Sequence, residues 1–252
     1  MNAEDKLRLA VLLDTAGDFL RDGHWRDRDA PVFADGADIE GAAIGSTNDT
    51  IDTASTANGD TLEAIAAAVR SCTACGLCAM RILAAPGEGA AHPRVLVIGE
   101  APGSEEDEKG RPFIGPAGQL LDRMLASIAL SRSTNCFITN TVKCRPPGNR
   151  TPLPAETAAC APFLARQIRL LQPAFILCMG RVAAQTMLHT SEGIGHIRGR
   201  FFDYRADTAD AADRGEPIPL IATYHPSALL REPNLKRPAW EDLKKLLERL
   251  QT

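Results

Sequence analysis

Cysteines come first among the residues whose types and spacing could do chemistry. Cys72-Thr73-Ala74-Cys75 is a C-x-x-C, and Cys78 makes a second, overlapping pair. Cys144 and Cys160 lie further on, separated by a proline-rich loop and the start of a helix. Cys136 and Cys178 sit inside apolar runs, where a thiol is expected to be buried and inert. The other five are candidates for a four-thiolate site, which either zinc or a 4Fe-4S cluster would accept. A zinc ribbon usually carries two tight C-x-x-C knuckles, whereas here the second pair is far apart, which tilts the reading toward iron–sulfur. Spacing leaves open whether Cys75 or Cys78 belongs to the set.

A second group follows the apolar runs. Val95–Ile98 leads into Gly99-Glu100-Ala101-Pro102-Gly103, whose glycines and proline force a turn. Phe113 stands in a loop of Gly, Pro and charge, an odd place for a core residue. Asn140 follows the run 136–139, Gly180 follows 174–178, and His225-Pro226-Ser227 follows 220–222. Each run predicts a strand, and helices are predicted between and after them at 117–130, 155–170, 181–188 and 238–250. Another is predicted at 61–69, ahead of the first cysteines. This alternation predicts an α/β fold, a doubly wound three-layer α/β/α arrangement around a central, mostly parallel four-stranded sheet. In such a sheet Glu100, Asn140 and His225 share the carboxyl edge, where open α/β folds bind ligands.

Composition bounds the rest. Residues 1–70 hold 6 Lys/Arg against 14 Asp/Glu, and residues 71–252 hold 22 against 18, so the net −4 of the chain comes from its N-terminal part. Two regions follow: an acidic extension over 1–60 and a mildly basic domain over 61–252. In the extension, 7–20 has weak helical periodicity, Trp25 is a candidate anchor, and 26–58 is too polar to fold alone. The basic domain permits a nucleic-acid partner. No apolar run reaches the roughly 18 residues of a membrane helix, and the N-terminus is too acidic for a signal peptide. A cytoplasmic, monomeric protein without membrane contact is expected.

Four features together resemble the iron–sulfur-containing family four uracil-DNA glycosylases: GEAPGSEEDEKGRPFIGPAGQLLD at 99–122, ITNTVKCRPPGNRTP at 138–152, YHPSALLR at 224–231 and the cysteine arrangement. The resemblance covers roughly 71–250. It implies uracil release from single- and double-stranded DNA to leave an abasic site, the first step of base-excision repair. It assigns Cys72, Cys75, Cys144 and Cys160 as ligands of the 4Fe-4S cluster and leaves Cys78 outside. Phe113 resembles the aromatic that stacks on the flipped uracil, and Asn140 the amide that reads its edge. His225 resembles the residue beside uracil O2, while Glu100, Ala101 and Glu106 belong to the pocket loop.

The chemistry suits these residue types. A base must leave the stack before its glycosidic carbon can be reached. An amide accepts from uracil N3–H and donates to O4, a polarity that cytosine reverses. Negative charge growing on O2 can be met by His225 and backbone N–H groups of the 99–103 turn. The superfamily's best-known branch carries a water-positioning Asp in that turn, where Ala101 stands here, so either Glu100 or Glu106 orients the water or the reaction relies mainly on stabilising the departing uracilate. A related branch traps the sugar through a histidine in an inserted basic loop; residues 145–150 contain none, which favours turnover. Arg145, Arg150, Ser227 and Arg231 are candidate DNA contacts, with 228–230 a candidate apolar wedge. A nucleotide-binding module is disfavoured by the lack of G-x-G-x-x-G and of a P-loop lysine.

Overall fold

The computed structural model describes residues 60–205 and 216–251. The helix expected over 7–20, Trp25 and the linker over 26–58 lie outside them. The apolar runs pair into one sheet of six strands: β1 (Glu88–Gly89), β2 (Val95–Gly99), β3 (Cys136–Asn140), β4 (Phe175–Met179), β5 (Phe201–Tyr204) and β6 (Ile218–Thr223). Their spatial order is β1-β3-β2-β4-β6-β5. The four inner strands pair in parallel and are the four expected; β1 and β5 add antiparallel edges. The edges left little trace in the sequence: β1 has two residues, and β5 is half-exposed and carries Asp203. Every residue of β2 and β3 is buried, as strands covered on both faces must be.

The helices are α1 (Leu62–Arg70), α2 (Ser104–Lys109), α3 (Pro116–Ala126), α4 (Pro154–Leu171), α5 (Arg181–Leu188), α6 (Ile194–Ile197), α7 (Pro226–Arg231) and α8 (Lys236–Gln251). Leu164, Ile168 and Leu171 of α4, Ala183, Ala184 and Met187 of α5, and Ile197 of α6 cover the face that carries Leu96, Ile98, Ile176, Leu220 and Ala222. Successive strand residues point to opposite faces. Thr223, out of step with Ala222, donates its hydroxyl to Asp242 of α8 at 2.7 Å on the other face. The expected run 117–130 ends as helix at Ala126 and turns back through Ala129, whose φ is 58°.

A smaller core lies beside the sheet, where Ile65 and Val69 of α1 pack with Leu77, Val142, Cys144, Cys160 and Leu170. Thr61 caps α1 by accepting from the Ala64 N–H at 3.1 Å, and Arg166 donates two hydrogen bonds to the Asp60 carboxylate, fastening the start of α1 to α4. Strand β2 has β3 on one side and β4 on the other. The β2–β3 connection therefore runs one way along the sheet and the β3–β4 connection runs back past β2, and a crevice opens at the carboxyl end of β2.

Candidate active site and thiol cluster

A cavity of about 530 Å³ occupies that crevice. Among the expected residues, Glu100, Ala101, Glu106, Phe113, Arg150, His225, Ser227 and Arg231 line it. Asn140 and Arg145 do not. Asn140 ends β3 in register with Gly99 of β2 and is 1% exposed. Its side-chain nitrogen and oxygen are both buried without a hydrogen-bond partner. Buried polar atoms nearly always have one, so an unpartnered amide at a strand end points to a ligand.

Phe113 lies against the same spot. A Cβ on Gly99 would come within 2.4 Å of both Asn140 Oδ1 and Phe113 Cζ, so this glycine lets the ring and the amide close over the strand end. Phe113 takes a left-handed φ of 52°, strained for an aromatic residue. Arg132 donates to its carbonyl at 2.7 Å. A Cβ on Gly118 of α3 would stand 1.9 Å from that carbonyl oxygen, so the first turn of the helix is shaped to let the Phe113 backbone approach.

Glu106 secures the loop from the other side. One carboxylate oxygen accepts from the Gly103 N–H at 3.0 Å, and the other accepts from the N–H groups of Ile114 and Gly115, each at 2.9 Å. Both oxygens are thus committed to backbone beside Phe113. Burial pushes the Glu100 carboxyl up, while Thr151 and the Arg181 charge pull it down. Ala101 contributes only a methyl group to the wall.

His225 follows β6 as the N-cap of α7. Its Nδ1 accepts from the Ser227 N–H at 3.2 Å, with Ser227 Oγ 2.8 Å away. A ring nitrogen that accepts from a backbone N–H carries no proton, so the neutral ring bears its hydrogen on Nε2. Burial, reinforced by the Arg231 charge, lowers the imidazole pKa to about 4. The ring centroid is 5.4 Å from that of Phe113.

The candidate DNA contacts divide. Arg231 is exposed at the cavity rim. Ser227 is committed to His225. Arg150 is held bidentately by Glu156 at 2.7 and 2.9 Å, and Arg145 donates to Asn149 Oδ1 at 2.7 Å. Within 228–230, Leu229 is core at 2% exposure and Leu230 is exposed at 47%.

Cys72, Cys75, Cys78, Cys144 and Cys160 line one enclosed space beneath α1. Arg81 donates to Cys144 Sγ at 2.9 Å and to the Arg70 carbonyl at 2.7 Å. Burial pushes the Cys144 and Cys160 thiols up. Among the described residues, no three His, Cys, Asp or Glu side chains converge as they would around one metal ion. Four thiolates, two from a C-x-x-C and two from a distant pair, are a donor set that a 4Fe-4S cluster accepts, one to each iron. The donor chemistry therefore fits a cluster. Cys136 and Cys178 are buried in the sheet as expected, and burial raises the Cys136 thiol to about 12.

Lys143 was not anticipated. It is 1% exposed and donates to Thr139 Oγ1 at 2.6 Å and to Asn140 O and Gln167 Oε1, each at 2.8 Å. Burial lowers its pKa to about 8. It braces the backbone between Asn140 and Cys144. A lysine next to a cysteine and an arginine reads as surface, and nothing in the local pattern distinguishes this one.

The model of the Uracil DNA glycosylase superfamily matches residues 86–244. The Type-4 uracil-DNA glycosylase of Pyrobaculum aerophilum is 41% identical over 179 residues, covering 69% of this chain and 87% of that protein. The Type-4 enzyme of Saccharolobus solfataricus is 40% identical over 186 residues (72% and 83%). That of Thermotoga maritima is 40% identical over 180 residues (70% and 88%). These matches span the crevice, the Phe113 loop and most of the sheet, and by them the chain belongs to the uracil-DNA glycosylase superfamily, in its Type-4 branch.

Proposed function

We propose that this chain is a monofunctional uracil-DNA glycosylase that hydrolyses the N-glycosidic bond of uracil in single- and double-stranded DNA, leaving an abasic site for base-excision repair. The observation that carries the reading is the buried Asn140 amide with neither atom bonded, set against Phe113 at the end of β2. In this reading an extruded uracil stacks on Phe113. Its N3–H donates to Asn140 Oδ1 and its O4 accepts from Nδ2. Cytosine would leave both atoms mismatched, the kind of error that discriminates strongly in a buried site. Because His225 Nδ1 is an acceptor, its Nε2–H is free to donate to O2 as charge grows there. Donation from a neutral imidazole in a water-poor pocket stabilises that charge without requiring a cation. Glu100 is the carboxylate left to orient water, since both Glu106 oxygens are bonded to backbone.

Cys72, Cys75, Cys144 and Cys160 would hold a 4Fe-4S cluster, with Arg81 donating to the Cys144 sulfur. Such a cluster supplies a structural tie between the 72–75 segment and the 144–160 loop, and base removal involves no redox step. On this reading Arg231 and Ser227, which line the crevice, would face an entering strand, and Arg145 and Arg150 would meet phosphates only by leaving or sharing their present partners. We place the activity in residues 61–252. All seven cysteines are free thiols, which suits a reducing cytoplasm, and among the described residues no helix is long and apolar enough to cross a membrane. A monomer is proposed.

The test is a uracil-containing oligonucleotide incubated with purified protein and then treated with alkali. A nick at uracil, absent without alkali and independent of added metal, is expected; an intact strand would refute the activity. Iron and sulfide analysis after anaerobic purification decides the cofactor, and a colourless zinc protein would refute the cluster.

A further inference from the structure

Cys78 is the thiol that a four-ligand site leaves over, yet it shares the space with the other four. Cys75 is the N-cap of the single 3₁₀ turn Gly76–Ala79, and the Cys78 N–H donates to the Cys75 carbonyl at 3.3 Å. Cys75 itself is extended, just outside the turn, and the turn brings Cys78 back so that both thiols border the same space. Both are half-buried, whereas Cys144 and Cys160 on the facing wall are buried. Gly76, between Cys75 and Cys78, borders open space: a Cβ there would meet no heavy atom within 4 Å. Cys144 and Cys160 have no such neighbour: Cys136 and Cys178, the remaining thiols, are sealed in the sheet.

We infer that Cys78 is a reserve cluster ligand: when the Cys75 thiolate is missing, Cys78 gives up its proton and its thiolate takes the iron position that Cys75 leaves. The inference rests on the cluster reading above. No oxidation change is involved; one iron–sulfur bond replaces another, and the proton passes to solvent.

The experiment measures iron, sulfide and visible absorbance per chain in anaerobically purified wild type and in Cys75→Ala, Cys78→Ala, Cys75→Ala/Cys78→Ala and Cys160→Ala. Alanine is chosen because a serine could itself ligate. Wild type, Cys78→Ala and Cys75→Ala should all carry the cluster, while the double variant and Cys160→Ala lose it. A paramagnetic resonance signal in reduced Cys75→Ala that differs from wild type is expected from the changed ligand geometry. Loss of iron from Cys75→Ala, whether soluble or not, would overturn the inference, as would retention by the double variant. Wild type without iron and sulfide would instead remove the cluster reading on which it depends.

Discussion

A buried amide with nothing to bond to costs about 1–3 kcal/mol relative to a satisfied one. Asn140→Leu removes both unpaired atoms while keeping a similar shape. It should leave stability unchanged or raise it by about 1 kcal/mol, and lower single-turnover uracil release by about 100-fold or more. Denaturant melts and oligonucleotide assays on one preparation check both halves; a large loss of stability would mean that the amide serves the fold. His225 gives a signed pH prediction. Its folded pKa, about 4, lies below the ordinary value of 6.5. Between these values the unfolded chain binds the extra proton, so stability falls as pH drops from 6.5 toward 4. His225→Gln should flatten that part of the stability curve. The neutral donor persists through this window, so kcat/KM should show no descending limb from this group near 6.5.

At the scale of elements, the loop carrying Phe113 is held more by Glu106 than by its own residues. Glu106→Ala frees three backbone N–H groups and should lower kcat/KM by about tenfold or more. Glu106→Gln keeps an acceptor oxygen and should retain most of the activity, whereas a water-activating carboxylate would lose as much in either variant. Lys143→Met strips a shared donor from Thr139, Gln167 and the Asn140 carbonyl. Loss of about 1–3 kcal/mol of stability is expected by thermal or denaturant melt.

Legibility in the sequence follows the range of each interaction. The four inner strands were readable because continuous apolar runs of that length bury both faces, and α5 was readable to the residue from its spacing. Asn140 and His225 stood out as polar residues following apolar runs, and Phe113 as an aromatic among Gly, Pro and charge. Glu106 did not reveal its role, because two of its partners are N–H groups eight and nine residues away. Helix α2 was hidden in an acidic stretch in which only Asp107 is buried. The closeness of Gly99 and Gly118 to Phe113 belongs to tertiary structure alone.

For the molecule as a whole, charge is divided along the chain: residues 1–70 are acidic and 71–252 mildly basic. Arg231 is exposed and lines the cavity, and on the proposed function it would add to a DNA-facing field. Arg231→Ala should weaken binding to uracil-containing and uracil-free DNA alike and reduce the slope of log K against log salt by about 1. Fluorescence anisotropy over a salt series reads this. Arg150→Ala should act differently, through loss of the Glu156 pair at the start of α4.

The unpaired amide also bears on what happens after the bond is cut. On the proposed function, free uracil offers Asn140 the same N3–H and O4 as uracil in a strand, so the departing base would keep its grip once the sugar has left. Product inhibition follows: added uracil should slow steady-state turnover while added cytosine does not, and the burst of the first turnover should outpace later ones.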